Sequence, residues 1–244
     1  MSHDDNIAEL EKEKYLKVWQ HDAYRDHSPG VLEQARALKI FAKFDCQTVA
    51  DYGCGEGKSV RYFKLMLQDA FGIEHAPNAV RAKGIVVYEE CLWQLHHTPD
   101  SDAAFCCDVM EHIPALKVNL VLHQIRAKTR KVAYFRIATV EDYFGPKLIN
   151  KPLHLTVRTP SEWEATLQRH WGYVERIATT DNYVVFACLP TPPDELFDGS
   201  RDEVGSGDQH AVPHDHLTRV GSNPEAEYSV IDDEFEPEDD DRKG

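Results

Sequence analysis

A short glycine-rich turn constrains this chain more than any other feature. The stretch Asp51-Tyr52-Gly53-Cys54-Gly55-Glu56-Gly57 follows an apolar run at 48–50 and precedes a predicted helix over 58–67. Glycines permit positive φ angles, and a main chain without Cβ atoms lets a ligand approach closely. A strand that ends in an acidic residue, turns through spaced glycines and enters a helix is therefore typical of an α/β domain that binds a nucleoside-type ligand.

The order of strands and helices predicts the fold class. Predicted strands at 48–52, 70–74, 85–88, 103–107 and 131–137 alternate with predicted helices at 58–67, 77–83 and 114–127. A further helix at 160–170 precedes two strands, 173–179 and 183–189, which are joined by a tight turn. The pattern indicates an α/β fold with a doubly wound, mostly parallel sheet of seven strands and an antiparallel C-terminal edge hairpin. Two more helices are expected ahead of it, at 5–19 and 31–44.

Charge and composition divide the chain into three parts. The formal net charge is −15, but from Pro190 to Gly244 there are 17 Asp and Glu residues against 4 Lys and Arg residues. We therefore expect a helical N-terminal lid segment (1–45), a nearly neutral domain (46–191) and a disordered acidic tail (192–244). A neutral domain does not favour broad binding to nucleic acid, which needs a basic surface. The tail could contact a basic partner.

The cysteine pattern and the hydropathy of the chain give an expectation for the cellular location of the protein. The six cysteines form no C-x-x-C pair and no disulfide framework. The first residues are polar and charged, and no apolar run approaches the length that spans a membrane. We expect a cytoplasmic protein without a membrane partner.

Three further polar stretches follow the second, third and fourth predicted strands, at the sheet edge where open α/β folds bind ligands. Glu74-His75 ends the second strand, and a carboxylate at this place can accept hydrogen bonds from both hydroxyls of a ribose. Glu89-Glu90-Cys91-Leu92-Trp93 follows the third strand, and Asp108-Val109-Met110-Glu111-His112-Ile113-Pro114 follows the fourth.

Together these motifs resemble the class I S-adenosylmethionine (SAM)-dependent methyltransferases over roughly residues 48–190. Poorly characterised members of that family, some of them phage-encoded, resemble the whole chain. The resemblance implies SAM as the cofactor, with either Glu89 or Glu90 meeting the adenine amine and apolar neighbours enclosing the ring. The expected cofactor-binding residues are Asp51, Gly53, Cys54, Gly55, Gly57, Glu74, His75, Glu90, Cys91, Leu92 and Asp108.

The resemblance also places Glu111 and His112 at the face where the methyl group is transferred. If the acceptor is a hydroxyl or a protonated amine, a proton must leave, and an imidazole titrates near neutral pH. His112 and His154 are equally good candidates for this base, and Glu111 completes the expected catalytic set. No metal site is predicted, because a carboxylate cluster cannot be assembled from the sequence.

Three interpretations of the function stay open. The leading one is a methyltransferase that moves the sulfonium methyl group to an O, N or C atom of a small molecule or another cellular acceptor. The second keeps the cofactor but has a nucleic acid or a protein as acceptor. The signatures of common base methyltransferases are absent, since 108–111 reads Asp-Val-Met-Glu where an Asp/Asn-Pro-Pro-Tyr/Phe motif would stand. The third is a non-catalytic SAM-binding protein that acts through its acidic tail.

Overall fold

The computed structural model describes residues 3–26 and 29–192, so nearly all of the predicted acidic tail lies outside the described residues. The predicted doubly wound α/β fold is confirmed. Its strands are β1 (Thr48–Tyr52), β2 (Asp69–Ile73), β3 (Val86–Tyr88), β4 (Ser101–Cys107), β5 (Thr129–Ala138), β6 (Tyr173–Thr179) and β7 (Tyr183–Leu189). Its helices are α1 (His3–Val18), α2 (Asp22–Arg25), α3 (Pro29–Lys43), α4 (Lys58–Met66), α5 (Val118–Lys128), α6 (Phe144–Ile149) and α7 (Pro160–Leu167), with a 3-10 helix at Met110–His112.

The seven strands form one sheet in the order β3-β2-β1-β4-β5-β7-β6. The first five strands are parallel, and β7 runs antiparallel to both β5 and β6. The strand order reverses direction between β1 and β4, which is the position where sheets of this type bind ligands at the carboxyl ends of their strands. Asp51, near the end of β1, lies opposite Gly72 of β2 and Phe105 of β4.

Two apolar layers cover the two faces of the sheet, because successive strand side chains point to opposite faces. Ala104 and Cys106 of β4 pack into one layer, which contains the buried Trp163 of α7. Phe105 packs into the other layer together with Phe63 of α4. None of the described helices has the length and hydropathy needed to cross a membrane.

One predicted helix is wrong. The segment 77–83 forms a turn followed by irregular backbone. The Arg25 guanidinium donates hydrogen bonds to the carbonyls of Asn78 (2.7 Å) and Ala79 (3.1 Å). The Ala82 amide donates to the Glu56 carbonyl at 2.9 Å. Neighbouring segments therefore satisfy backbone groups that a helix would have paired internally.

Two short helices were not predicted. The segment 139–154, for which no helix or strand was predicted, contains α6, and α2 lies between the two expected N-terminal helices. Both helices have six residues or fewer, a length at which hydropathy periodicity gives little signal. Both lie beside the cavities described next.

Candidate active site

The glycine turn after β1 is tightly packed. Gly53, Gly55 and Gly57 have φ angles of 75°, 52° and 82°. A Cβ atom on Gly53 would lie 2.6 Å from Cγ2 of Val109, and one on Gly57 would lie 2.3 Å from Cδ1 of Ile85. Gly57 precedes α4 and does not line a described cavity, whereas Gly53 and Gly55 do.

Glu74 connects β2 to this turn. Its Oε2 accepts a hydrogen bond from the Gly55 amide and its Oε1 accepts one from the Ala76 amide, each at 2.9 Å. Burial raises the pKa of the Glu74 carboxyl, although these amide hydrogen bonds oppose that change. Burial, with a contribution from the charge of Glu74, raises the pKa of Asp51 to about 8. The two predicted acidic ligands thus lie near each other beside the turn.

A small cavity, the inner cavity, extends from Glu74 towards the end of β4. Predicted cofactor-binding residues His75, Cys91, Leu92 and Asp108 line it, together with Val109. The N-terminal segment supplies the opposite wall through Tyr15, Trp19 and Tyr24. The Tyr15 hydroxyl is buried and has no hydrogen-bond partner, and burial raises its pKa.

The side chains of Glu90 and Cys54 make contacts within the protein. Glu90 lines neither cavity; its carboxylate accepts hydrogen bonds from the amides of His96, His97 and Thr98 and from the Thr98 hydroxyl. It therefore stabilises the loop after β3, and its assignment to the adenine amine stays a prediction. Cys54 lines the larger cavity, but its Sγ packs against Gly72, where a Cβ atom would lie 2.4 Å away.

A larger cavity of about 490 Å³, the outer cavity, adjoins the inner one and shares five lining residues with it. Those shared residues are Trp19, Tyr24, Gly53, Asp108 and His112. The outer cavity is also lined by Asp51, Glu111, Arg136, Tyr143, Phe144 and His154. Aromatic and charged side chains thus surround the space beside the glycine turn.

Arg136, in the wall of the outer cavity, lies between the partly buried Asp108 and the buried Glu33. Its guanidinium forms an ion pair with Asp108, approaches Glu33 at 3.8 Å and lies 3.9 Å from the ring centroid of Tyr183. Burial raises the pKa of Asp108 to about 6, and the charge and hydrogen bond of Arg136 oppose that rise. Arg136 was not among the predicted site residues, because a lone arginine in a predicted strand carries no recognisable signal.

Glu111, His112 and His154 come together, although His154 lies on a distant loop. One possible ligand atom from each lies within 4.8 Å of the other two. His112 Nδ1 donates to the Leu153 carbonyl at 3.1 Å, and His154 Nδ1 donates to the Val140 carbonyl at 2.6 Å. Burial, reinforced by His154, lowers the pKa of His112 to about 3, so its ring is neutral.

Glu111 is fully buried, and its two carboxylate oxygens have different surroundings. Oε1 accepts a hydrogen bond from the Ala138 amide at 3.2 Å, whereas no amide or hydroxyl group of the described residues donates to the buried Oε2, and the Asp108 carboxyl lies within hydrogen-bonding distance of Glu111. Burial and the nearby charge of Asp108 raise the pKa of Glu111 well above its ordinary value. All three predicted catalytic residues therefore lie at one wall of the outer cavity.

Comparison with known proteins identifies the fold. No protein-family model matches the chain, and no curated protein matches it by sequence. The structure is similar to that of DhpI in a DhpI–SAM–HEP complex, with 15% identity, a TM-score of 0.59 and coverage of 78% of this chain and 100% of that one. It is also similar to DesVI of Streptomyces venezuelae (10% identity, TM-score 0.56, 71% of this chain and 97% of that one).

A third similar structure is the sugar N-methyltransferase KedS8 of a Streptoalloteichus species, with 10% identity and a TM-score of 0.52. That match covers 67% of this chain and 87% of KedS8. Identities this low establish the fold and leave the substrate open. This chain therefore has the fold of the class I SAM-dependent methyltransferases, as its glycine turn and its motif after β4 predicted.

Proposed function

We propose that this chain is a SAM-dependent methyltransferase that acts on a small molecule. One observation carries the proposal: the glycine turn, Glu74 and Asp108 border a cavity that adjoins a second cavity lined by His112 and His154. A cofactor in the inner cavity would thus be next to groups that can accept a proton. We also propose that the protein is cytoplasmic, as expected from the sequence.

The residues of the inner cavity fit an adenosyl group. Each Glu74 oxygen accepts one amide hydrogen bond, and a carboxylate oxygen has a second lone pair that can accept from a ribose hydroxyl. Apolar surface against which the adenine ring can pack comes from Cys91, Leu92 and Val109. The unpartnered Tyr15 hydroxyl provides a polar group within the same wall.

SAM supplies a methyl group on a positively charged sulfonium, and the protein supplies alignment and a proton acceptor. Since His112 Nδ1 donates to a carbonyl, its Nε2 is the basic nitrogen, but its low pKa makes it a weak base. We therefore assign the role of proton acceptor to His154, whose side chain is only partly buried. Aromatic residues of the outer cavity, including Tyr143 and Phe144, suit a partly apolar acceptor.

The first test is calorimetric binding of SAM and of S-adenosylhomocysteine to the full-length protein. Gly55→Arg places a long side chain where Trp19 already contacts the glycine, and Glu74→Ala removes the carboxylate, so both should abolish micromolar binding. Asp69→Ala is the matched control, since Asp69 is an exposed acidic residue at the opposite end of β2. Absence of binding by the wild type would overturn the proposal.

Incubation with methyl-labelled SAM then separates an enzyme from a binding protein. Transfer of label to small molecules from a metabolite extract supports the proposal. Transfer to RNA, DNA or protein would support the second interpretation of the sequence. Binding without transfer to any of these would favour a SAM-binding protein that acts through its acidic tail, which lies outside the described residues.

A further inference from the structure

The wall of the outer cavity combines two imidazoles with a carboxylate. One ligand atom each from Glu111, His112 and His154 lies within 4.8 Å of the others. Glu111 and His112 come from the 3-10 helix after β4, and His154 comes from the segment after α6. We infer that these three side chains bind one divalent transition-metal ion.

The hydrogen bonds made by His112 and His154 leave the Nε2 atom of each ring free. A backbone carbonyl can only accept, so Nδ1 of His112 and Nδ1 of His154 each carry the proton, and Nε2 of each ring carries a lone pair. Histidines that bind metals generally donate their other ring N–H to a carbonyl or carboxylate in this way. The two rings are therefore already in the tautomer that metal binding requires.

Glu111 provides an independent observation that points to a cation. Its Oε2 is buried and accepts no hydrogen bond from an amide or hydroxyl group of the described residues, and its carboxyl lies within hydrogen-bonding distance of the Asp108 carboxyl. An unsatisfied buried carboxylate oxygen is costly, and the negative charge of Asp108 nearby adds to that cost. A metal cation at Oε2 would offset both effects. A proton shared between Glu111 and Asp108 is the competing arrangement.

The donor set indicates the kind of metal. Ca²⁺ and Mg²⁺ are bound mainly by oxygen atoms, whereas two imidazoles with one carboxylate suit Zn²⁺, Fe²⁺ and similar ions. Three protein ligands leave coordination positions that face the outer cavity. A methyl acceptor that reaches the ion would bind it through an oxygen atom. The metal would then activate the acceptor in place of a free imidazole. This part of the inference rests on the proposed function.

Metal binding can be tested without SAM and without an acceptor. The full-length protein is treated with EDTA, dialysed and titrated with Co²⁺, and the visible absorption of the bound ion is recorded; displacement by Zn²⁺ gives a second reading. We expect one Co²⁺ per chain. His154→Ala and Glu111→Gln should each weaken binding by at least about tenfold.

Two control variants test whether histidines elsewhere in the chain bind the ion. His123→Ala changes an exposed histidine of α5 and should leave Co²⁺ affinity unchanged. A triple variant of His210, His214 and His216, each changed to Ala, tests the histidines of the acidic tail and should also keep the site.

The inference is overturned if His154→Ala binds Co²⁺ as the wild type does, or if the triple tail variant loses all binding. It is also overturned if Glu111→Gln raises the melting temperature without weakening metal binding, which is the result expected of a shared proton. If Glu111→Gln does not fold, His154→Ala decides alone, because its ring is half-buried on a loop. SAM binding without metal binding would contradict only this inference, and metal binding without SAM binding only the proposed function.

Discussion

The Glu74 carboxylate accepts a hydrogen bond from the Gly55 amide at 2.9 Å, so the end of β2 is joined directly to the glycine turn after β1. The same carboxylate accepts from the Ala76 amide through its other oxygen. Glu74 thus has a structural role in the turn and is also the proposed ribose ligand. Its substitution should therefore affect both the fold and cofactor binding.

Glu74→Gln should weaken SAM binding by roughly 30-fold. Glutamine has one acceptor oxygen where the carboxylate has two, so one ribose hydroxyl loses a hydrogen bond to a charged acceptor, at a cost of about 2 kcal/mol. Either the Gly55 or the Ala76 amide also loses its acceptor, which lowers the stability of the fold. Calorimetry gives the change in Kd, and thermal unfolding without SAM gives the part that belongs to the fold. An unchanged Kd would exclude Glu74 as a ligand.

The succession of strands and helices along the chain, and the sheet edge that carries the candidate site, could be predicted from the sequence, because hydrophobic runs, glycines and spaced acidic residues are local signals. The bounds of β1, β6 and β7 agree with the prediction. The helix predicted at 77–83 failed because distant Arg25 and Glu56 satisfy its backbone. No local pattern records such partners.

Gly53→Ala should lower the free energy of unfolding by about 2–4 kcal/mol. An alanine there would adopt a φ of 75° and would place Cβ 2.6 Å from Val109 Cγ2, so backbone strain and overpacking add together. Denaturant unfolding measures the loss. The double variant with Val109→Ala should recover part of it by relieving the clash.

Gly84→Ala separates the backbone strain from the overpacking that are combined in Gly53→Ala. Gly84 has a similar φ of 74°, but no atom lies within 4 Å of its hypothetical Cβ. Its substitution should therefore cost about 1 kcal/mol, from backbone strain alone. Equal losses at both positions would show that Val109 does not limit the turn.

The individual residues of the candidate site could be predicted from the sequence, but their arrangement as a cluster could not. His112 and Glu111 belong to one motif, but only the path of the segment after β5 shows that His154 joins them. The Glu90 carboxylate accepts hydrogen bonds from Thr98, later in the chain, so its direction could not be predicted from the sequence. Side-chain direction depends on tertiary contacts that residue type does not reveal.

Arg136→Met should lower the free energy of unfolding by about 3 kcal/mol. The change removes the cation that pairs with the partly buried Asp108, whereas the buried Glu33 keeps its ion pair with Arg36 at 3.0 Å. Arg176→Met, which breaks a partly exposed ion pair with Glu164, should cost less than about 1 kcal/mol. Chemical denaturation compares the two variants, and similar losses would show that the Arg136 pair is no stronger than a surface pair.

Asp51→Asn should flatten the dependence of stability on pH. Burial raises the pKa of Asp51 to about 8 in the folded protein, whereas an unfolded aspartate titrates near pH 4. The folded state therefore holds a proton that the unfolded state loses, and the free energy of unfolding falls as pH rises from about 4 to 8, by at most about 1.4 kcal/mol per pH unit from this group. Asparagine removes that contribution, so the variant should gain stability over the wild type at pH 8 more than at pH 5.

Denaturant titrations at pH 5, 6.5 and 8 without SAM measure this dependence, and Asp69→Asn, an exposed change on β2, should keep the wild-type slope. Some slope will remain in Asp51→Asn, because burial also raises the pKa values of Glu74 and Glu111 in the folded protein. The difference between the two aspartate variants therefore isolates Asp51. Parallel curves for Asp51→Asn and Asp69→Asn would show that the pKa of Asp51 is not raised in the folded protein.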